Sequence, residues 1–395
     1  MNVVIVGAGI GGLATALALH RAGLRPRVYE QAAMLGEVGA GLSVTPNAVK
    51  ALDWLGVGTA LRAIADEPPQ QLTCHFASGE LLVGFDRSNT VLQYGAPYLQ
   101  LHRADLHQIL LERLRALDPD AVCTDRRFLS QTGAGSPGEG IRADFIDGNG
   151  VVHAVSADAL IGTDGLKSVV RESAFAVTPP EFGGFVAWRG LVPRAALEGR
   201  ELSPGSKVFA GPGRLFVRYP VRHGALVNYV AFARAETWQR EGWSRTGAIE
   251  ETQRLFAGFH DEVQSILAAT PGGRCHKWGL FAREPLPRWA KGTLVLLGDA
   301  AHPMMPWFGQ GAASALEDAV VLGRCVASCN GELAAAFRRF EATRHARVTL
   351  LHRESGLGGE RLAGLHPEQL RDAPVRNEDS LGIFAHDPVN EELAA

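Results

Sequence analysis

The chain opens on Asn2-Val-Val-Ile-Val6 and runs directly into Gly7-Ala-Gly9-Ile-Gly-Gly12. A short β-branched run feeding G-x-G-x-x-G leaves few folds open. Gly7 permits the tight turn, Gly9 lets the backbone approach a pyrophosphate, and Gly12 lets a helix pack closely on its strand. Leu13–Ala22 then reads as an alanine- and leucine-rich helix ending at Gly23, and Arg27–Glu30 as a second short strand. That is a βαβ unit, the start of a parallel sheet. The helix N-terminus offers unpaired N–H groups and a positive dipole to phosphates. Glu30, ending the second strand, is placed to accept hydrogen bonds from a ribose 2′-hydroxyl. A bound dinucleotide is expected, the alternative being a glycine-rich turn in a nucleotide-free fold. A motif that starts at residue 7 with a long remainder suits FAD at least as well as NAD.

Two later blocks belong with the first. In Asp158-Ala-Leu-Ile-Gly162-Thr-Asp164-Gly165-Leu-Lys-Ser168-Val-Val-Arg171, Asp164-Gly165 reads as a turn where a strand feeds a helix. The carboxylate either caps helix N–H groups or, beside a glycine that keeps the backbone open, faces a phosphate-bearing partner. Thr293–Leu297 reads as a fully buried strand delivering Gly298-Asp299 at its carboxyl end, the ligand edge of such sheets. Asp299 there suits ribityl hydroxyls. Pro303 and Pro306 stiffen the next loop, and Gly309-Gln310-Gly311 starts a helix whose dipole would point at a flavin ring that turns anionic on reduction. His302 is expected to be structural, satisfied by backbone.

Between these blocks the period changes. From about Leu72 to Leu101 and from Thr178 to Lys277 the apolar residues alternate, as in a half-exposed antiparallel sheet. The expected fold is therefore α/β: a Rossmann-like FAD-binding domain over 1–72, 98–177 and 283–353, with an inserted antiparallel-sheet substrate domain over 73–97 and 178–282. Helix is expected from Ala312 to about Arg353, then a tail without periodicity over 354–395.

Composition narrows the setting. A net charge of −3 gives no field favouring nucleic acid or anionic membrane. Five cysteines without a C-x-x-C pair argue against a disulfide framework, and Cys325 with Cys329 reads as two small core residues rather than a metal site. No basic n-region with a cleavage site and no apolar run of about 18 residues is visible, so neither a signal sequence nor a membrane span is expected. A cytoplasmic monomer or homodimer without metal is expected.

In these three ordered blocks the sequence resembles the aromatic hydroxylase family of FAD monooxygenases, with salicylate hydroxylase, 3-hydroxybenzoate 6-hydroxylase and 6-hydroxynicotinate 3-monooxygenase as types; the match spans about residues 1–350. The resemblance implies non-covalent FAD, NADH or NADPH as transient electron donor, and hydroxylation of a small aromatic or heteroaromatic acid by dioxygen through a flavin hydroperoxide. It implies cofactor contacts at Gly7, Gly9, Gly12, Glu30, Val44, Arg103, Phe128, Asp164, Asp299, Gly311 and Ala312, Phe128 through its backbone. Gly39–Asn47 resembles the loop beside the flavin, with Ser43 and Val44 near the ring.

Substrate contacts are expected from Trp188, Arg189, Arg218, Tyr219, Arg222, His223, Asn228 and Trp307, with Ser43, Arg189, Tyr219 and Trp307 foremost as catalytic candidates. An arginine pairing with a carboxylate would suit an aromatic acid, whereas His223 in V-R-H-G reads as a hairpin turn. The hydroxynicotinate enzymes have histidines where this chain has Ser43 and Trp307, which separates its substrate chemistry from theirs. Hydroxypyridine or quinolone hydroxylation, another flavin reaction, or a non-enzymatic flavin module are the competing readings. The W-x-W-x-I pair of many flavin halogenases is absent.

Overall fold

Two hydrophobic periods build two kinds of sheet. The computed structural model describes residues 1–36, 40–133, 140–175, 178–200, 202–238, 245–364, 366–372 and 377–395. Gly39 lies outside them. Val3–Val6 is buried throughout, as a central parallel strand must be. It pairs in parallel with Arg27–Tyr29 on one side and with Ala159–Gly162 on the other. Val122–Cys123 and Leu294–Leu296 extend the parallel set, and Ala290–Lys291 adds an antiparallel edge. Four neighbouring strands therefore end side by side. Gly7, Glu30, Asp164 and Asp299 follow those ends, so they rise from one edge of the sheet.

The second sheet has eight strands: Arg245–Ala248, Arg274–Ala282, Glu181–Pro193, Leu226–Arg234, Arg214–Val221, Ser206–Gly211, Gln70–His75 and Leu81–Asp86, in that spatial order. Only Ser206–Gly211 with Gln70–His75 is a parallel pair. Side chains alternate across it. Val186, Trp188, Phe216 and Tyr229 join Val263 and Ile266 of helix Asp261–Ala268 in one core. Phe185, Ala187, Leu215 and Phe232 face the other way, against Met305 and Trp307. This second face is turned to the loop that follows Asp299. A ribbon of Gly41–Val44 and Leu99–His102 joins the sheets, with Gly41 N donating to Asn228 Oδ1 at 2.8 Å.

The helical pattern after Ala312 reads as one helix, but the chain forms two. Gln310–Ser328 stops before Asn330 and Gly331, whose φ values of 50° and 86° are left-handed, and Leu333–Leu362 packs back against it. The second helix continues past Arg353 to Leu362, and Gly358 lets it pack against Trp307: a Cβ there would come within 2.4 Å of the tryptophan side chain. The later residues lack periodicity, yet Ile383 and Phe384 are fully buried. Arg324 donates to the carbonyls of Pro388 and Glu391 at 2.9 and 2.8 Å. An irregular strap held through backbone carbonyls leaves no apolar period to read. All five cysteines are free. Among the described residues no helix is long and apolar enough to cross a membrane.

A buried ion network locks these parts together. Glu317 and Asp318, adjacent on helix Gln310–Ser328, are both fully buried. Arg344 reaches Glu317 at 2.7 Å and Asp318 at 2.9 Å. Glu317 also accepts from Asn47 Nδ2 at 2.7 Å and Arg347 Nη2 at 2.8 Å, and Asp318 from Gly298 N at 3.1 Å. Burial alone would push both carboxyls up. The charges of Arg347 and Arg344 on Glu317, and of His302 and Arg344 on Asp318, overcome it and hold both below the usual carboxylate range. A carboxyl whose folded-state pKa is depressed stabilises the fold above its ordinary pKa of about 4, and this is lost as pH falls through the folded value. Removing Arg344 leaves two buried carboxylates short of a counterion. Arg344→Gln is expected to cost about 3–5 kcal/mol, read as a lowered unfolding temperature of the holoprotein at neutral pH. An unchanged transition would show that the network does not hold the fold.

Candidate active site

The glycine loop is shaped by contact distances. Gly7 has φ +102°, and a Cβ there would sit 2.8 Å from the Thr163 carbonyl oxygen. A Cβ on Gly12 would lie 1.9 Å from the Gly7 carbonyl oxygen, whereas one on Gly9 would meet nothing within 4 Å. Gly7 and Gly12 are thus closed in by protein and Gly9 faces open space, as a phosphate loop requires. Helix Ile10–Arg21 begins there with no side-chain cap, so its first N–H groups remain available. Glu30 holds the loop, its two oxygens accepting from Ala8 N at 2.8 Å and Ala32 N at 2.9 Å. His107 Nε2 lies 2.7 Å from the Ala8 carbonyl on the other side.

Asp164 performs the cap that was one of its two sequence readings. It accepts from Ser168 Oγ at 2.5 Å and Val170 N at 3.1 Å, and Ser168 in turn accepts from Arg171 N at 2.9 Å. Arg171 is buried and donates to the Ala300 and Ala301 carbonyls at 3.4 and 3.3 Å, tying this block to the one at Asp299. The Asp299 side chain is reachable by water yet surrounded by protein, the situation of a group lining a recess. Burial pushes its carboxyl up against the pull of His302 and Arg103. Arg103 lies within electrostatic reach of it and is itself pushed down by burial. Helix Gln310–Ser328 starts beside them without a side-chain cap, where a Cβ on Gly311 would be 3.8 Å from Asp299 Oδ1. The N–H groups of Gly311 and Ala312 are therefore open at a helix N-terminus. Phe128 is buried with its ring 5.6 Å from Phe145, which leaves only its backbone for a ligand. Val44 is likewise a core side chain.

His302 is structural by a different route from the one expected. Its Nε2 is 2.6 Å from Asp318 Oδ2, so a buried carboxylate rather than backbone fixes it. A partner sixteen residues away on a helix face leaves no local signal.

Strand alternation sorts the substrate candidates. Arg189, Tyr219 and Asn228 share the sheet face turned to the Asp299 loop, and Trp188 and Arg218 point away. Trp188 lies in the opposite core. Arg218 is consumed by Glu262 at 2.5 Å and by the carbonyl of Gly205 at 2.7 Å. Arg222 pairs with Asp105 at 2.7 Å on the surface, and His223 occupies the turn with φ 55° and donates its N–H to Asp66. Trp188 and Arg218 thus fall outside the cleft because a period-2 strand turns only every second side chain to one face, and Arg222 and His223 because they sit in the turn after Val221 with partners at the surface. Trp307 packs its ring 5.0 Å from Phe185 and 4.9 Å from Phe232, an apolar wall with no titrating group. Ser43 and Gln100 reach the hydroxyl of buried Tyr98, which also accepts from Gln71 Nε2 at 2.9 Å.

Tyr98, Gln100 and His276 belong to this cleft and are absent from the sequence candidates. Their signal is alternation alone, as in Arg274-Cys-His276-Lys-Trp278, where His276 falls in phase with Trp278. Several polar atoms here are buried without a hydrogen-bond partner: Arg189 Nε, His276 Nδ1, Asn228 Nδ2 and Gln100 Oε1. Such orphans are rare in finished protein interiors and cluster where a ligand completes the site. The glycine cradle, two uncapped helix starts, Arg103 and Asp299 fit a dinucleotide bearing a ring system; the face opposite fits a small polar aromatic.

This fold and site define the flavin-dependent aromatic monooxygenases. The chain belongs to the FAD-binding-domain family, which matches residues 1–355, and its cofactor is FAD. It is 35% identical to 6-hydroxynicotinate 3-monooxygenase of Pseudomonas fluorescens over 360 residues, 90% of each chain. It is 36% identical to 3-hydroxybenzoate 6-hydroxylase of Klebsiella oxytoca, covering 90% of this chain and 88% of that one. The structure of Klebsiella pneumoniae HpxO with FAD and uric acid superimposes with a TM-score of 0.81 at 27% identity, over 98% and 96% of the two chains.

Gly12→Ala is expected to purify with far less FAD, measured as visible flavin absorbance per protein. A full complement of flavin in that variant would refute the phosphate-loop role of Gly12.

Proposed function

We propose that this chain hydroxylates a small aromatic or heteroaromatic acid bearing an activating ring substituent, with Arg189 binding the acid's carboxylate. One observation carries the reading. Arg189 is a half-buried cation on the cleft face, its Nε inaccessible to water, with no ion pair and no hydrogen bond among the described residues, and its guanidinium carbon lies 5.1 Å from the Trp278 ring centroid. Burial pulls its pKa down to about 10, with Tyr219 opposing and Arg103 adding to the fall. A buried charge left unpaired is costly. An incoming carboxylate would neutralise it with short, directed hydrogen bonds.

In this reading 1–72, 98–177 and 283–353 hold the cofactor, and 73–97 with 178–282 line the substrate. The chemistry that bound FAD supplies is reductive activation of dioxygen, with NADH or NADPH as electron donor. The residues do the rest. Burial pushes the Tyr98 phenol up to about 12 and the Tyr219 phenol higher, so both stay protonated and act as hydrogen-bond donors. Phe185, Phe232 and Trp307 keep water from the adjoining space. Gly309, with φ 63°, turns the loop so that the open N–H groups of Gly311 and Ala312 face the recess where negative charge would collect.

The test uses hydroxybenzoates, aminobenzoates and hydroxypyridine carboxylates, scored by stimulated NADH or NADPH oxidation and by product mass. For the acid that gains oxygen, Arg189→Gln is expected to weaken binding roughly 10- to 150-fold, the loss of a charged hydrogen-bonding partner. The variant should keep its FAD. Undiminished binding of the acid by flavin-loaded Arg189→Gln would remove the carboxylate role.

A further inference from the structure

We propose that His276 is the group that takes the proton from the substrate's ring hydroxyl; this rests on the aromatic-acid reading above. His276 and Arg189 are directly opposite each other in the antiparallel pair of Arg274–Ala282 with Glu181–Pro193. Opposed residues carry their side chains on one face, about 4.5–5.5 Å apart at Cβ. An acid whose carboxylate meets Arg189 therefore presents its ring within reach of the imidazole. His276 Nδ1 is buried with no hydrogen-bond partner among the described residues, so the imidazole is open to a ligand in the cleft.

The other groups of the cleft are unsuited to accept a proton. Tyr98 and Tyr219 are held protonated, Arg189 and Arg103 are cations, and Ser43 and Gln100 do not titrate near neutrality. His102 is also held down by burial and lies within reach of Arg189. It sits on strand Leu99–His102, however, with Asp105 at 3.8 Å and Arg222 bearing on it, and is not opposite Arg189 in the sheet as His276 is. The groups bearing on His276 come from both flanking strands. Arg189 faces it from one; from the other, Thr246 stands opposite it and accepts from Arg274 Nη2 at 2.8 Å. Among the described residues no carboxylate is recorded as bearing on it. Burial first and Arg189 second hold the imidazole below its ordinary pKa, so it is neutral and able to accept near pH 7.

The step balances simply. The ring O–H bond breaks, its electron pair stays on the oxygen, and the proton forms an N–H bond on His276, giving an imidazolium and a ring anion. The substrate carboxylate on Arg189 offsets the positive charge that the arginine alone would set against that imidazolium. A ring anion is the electron-rich form that oxygen transfer needs.

Two measurements on flavin-loaded protein test this. The first titrates a bound nitro-substituted hydroxybenzoate, whose anion absorbs in the visible, across pH. Its apparent pKa in the wild-type complex is expected to be lower than in the His276→Gln complex by about one unit or more. Equal values in the two complexes overturn the proposal. The second compares turnover of a productive hydroxy acid with that of its ring-fluorinated analogue, whose hydroxyl is more acidic. His276→Gln is expected to lose on the order of 10²- to 10⁴-fold in kcat on the parent acid, with KM nearly unchanged and a smaller loss on the fluorinated acid. The wild-type enzyme should also show an acidic limb in kcat that the variant lacks. A kcat within about threefold of wild type, or equal losses on both acids, overturns it. His276→Asn serves the same comparison if the glutamine variant does not fold. A wild-type enzyme that responds to no aromatic acid would defeat the underlying reading instead, a distinguishable result.

Discussion

Two adjacent buried carboxylates hold the architecture in register. Glu317 and Asp318 sit one residue apart on helix Gln310–Ser328, so they diverge around its axis. One binds Asn47 and the other binds Gly298 N and His302, while Arg344 bridges both from the long helix. Through them the start of the Pro46–Trp54 helix, the turn at Asp299 and the C-terminal helix are fixed to one another. A buried network whose charges are paired across several elements leaves little room for alternative arrangements. The open helix start at Gly311 is consequently aimed rather than merely near its target.

The cleft is the opposite case. The network sets cations against both of its carboxylates, with only Arg344 Nη2, His302 Nδ1 and Asn47 Oδ1 among its described side-chain atoms lacking a hydrogen bond. The facing sheet instead leaves Arg189 without a carboxylate among the described residues, and His276, Asn228 and Gln100 with atoms unmet. These four unmet groups lie on the cleft side, between two well-packed cores. Local cost of this kind is tolerated where the surrounding structure dictates the geometry and a ligand completes it. The apolar wall of Phe185, Phe232 and Trp307 then separates the polar patch from solvent, and the Trp307 position itself depends on the absence of side chains at Gly358 and Gly359.

Local sequence was enough for the parallel sheet. A β-branched run followed by glycines at fixed offsets admits one geometry, because only a residue without Cβ fits against Thr163 and against the Gly7 carbonyl. The same holds for Asp299, delivered by a buried strand to the ligand edge, and for the alternating segments of the second sheet. Trp188 and Arg218 looked as promising as Arg189 and Tyr219 because residue type is visible in the chain and strand phase relative to a distant cleft is not.

By itself, then, the sequence determined the strands, the glycine turns and the edge at which a dinucleotide would lie, all marked by residue types at fixed short spacings. Tertiary structure alone decided which face of the second sheet meets that edge, which arginine is spent on Glu262 and which has no counterion among the described residues. It also decided that His276 stands opposite Arg189 and that an aperiodic tail buries Phe384. These outcomes turn on pairings between residues far apart in the chain, where charge and hydrogen-bond balance depend on partners that no local pattern names.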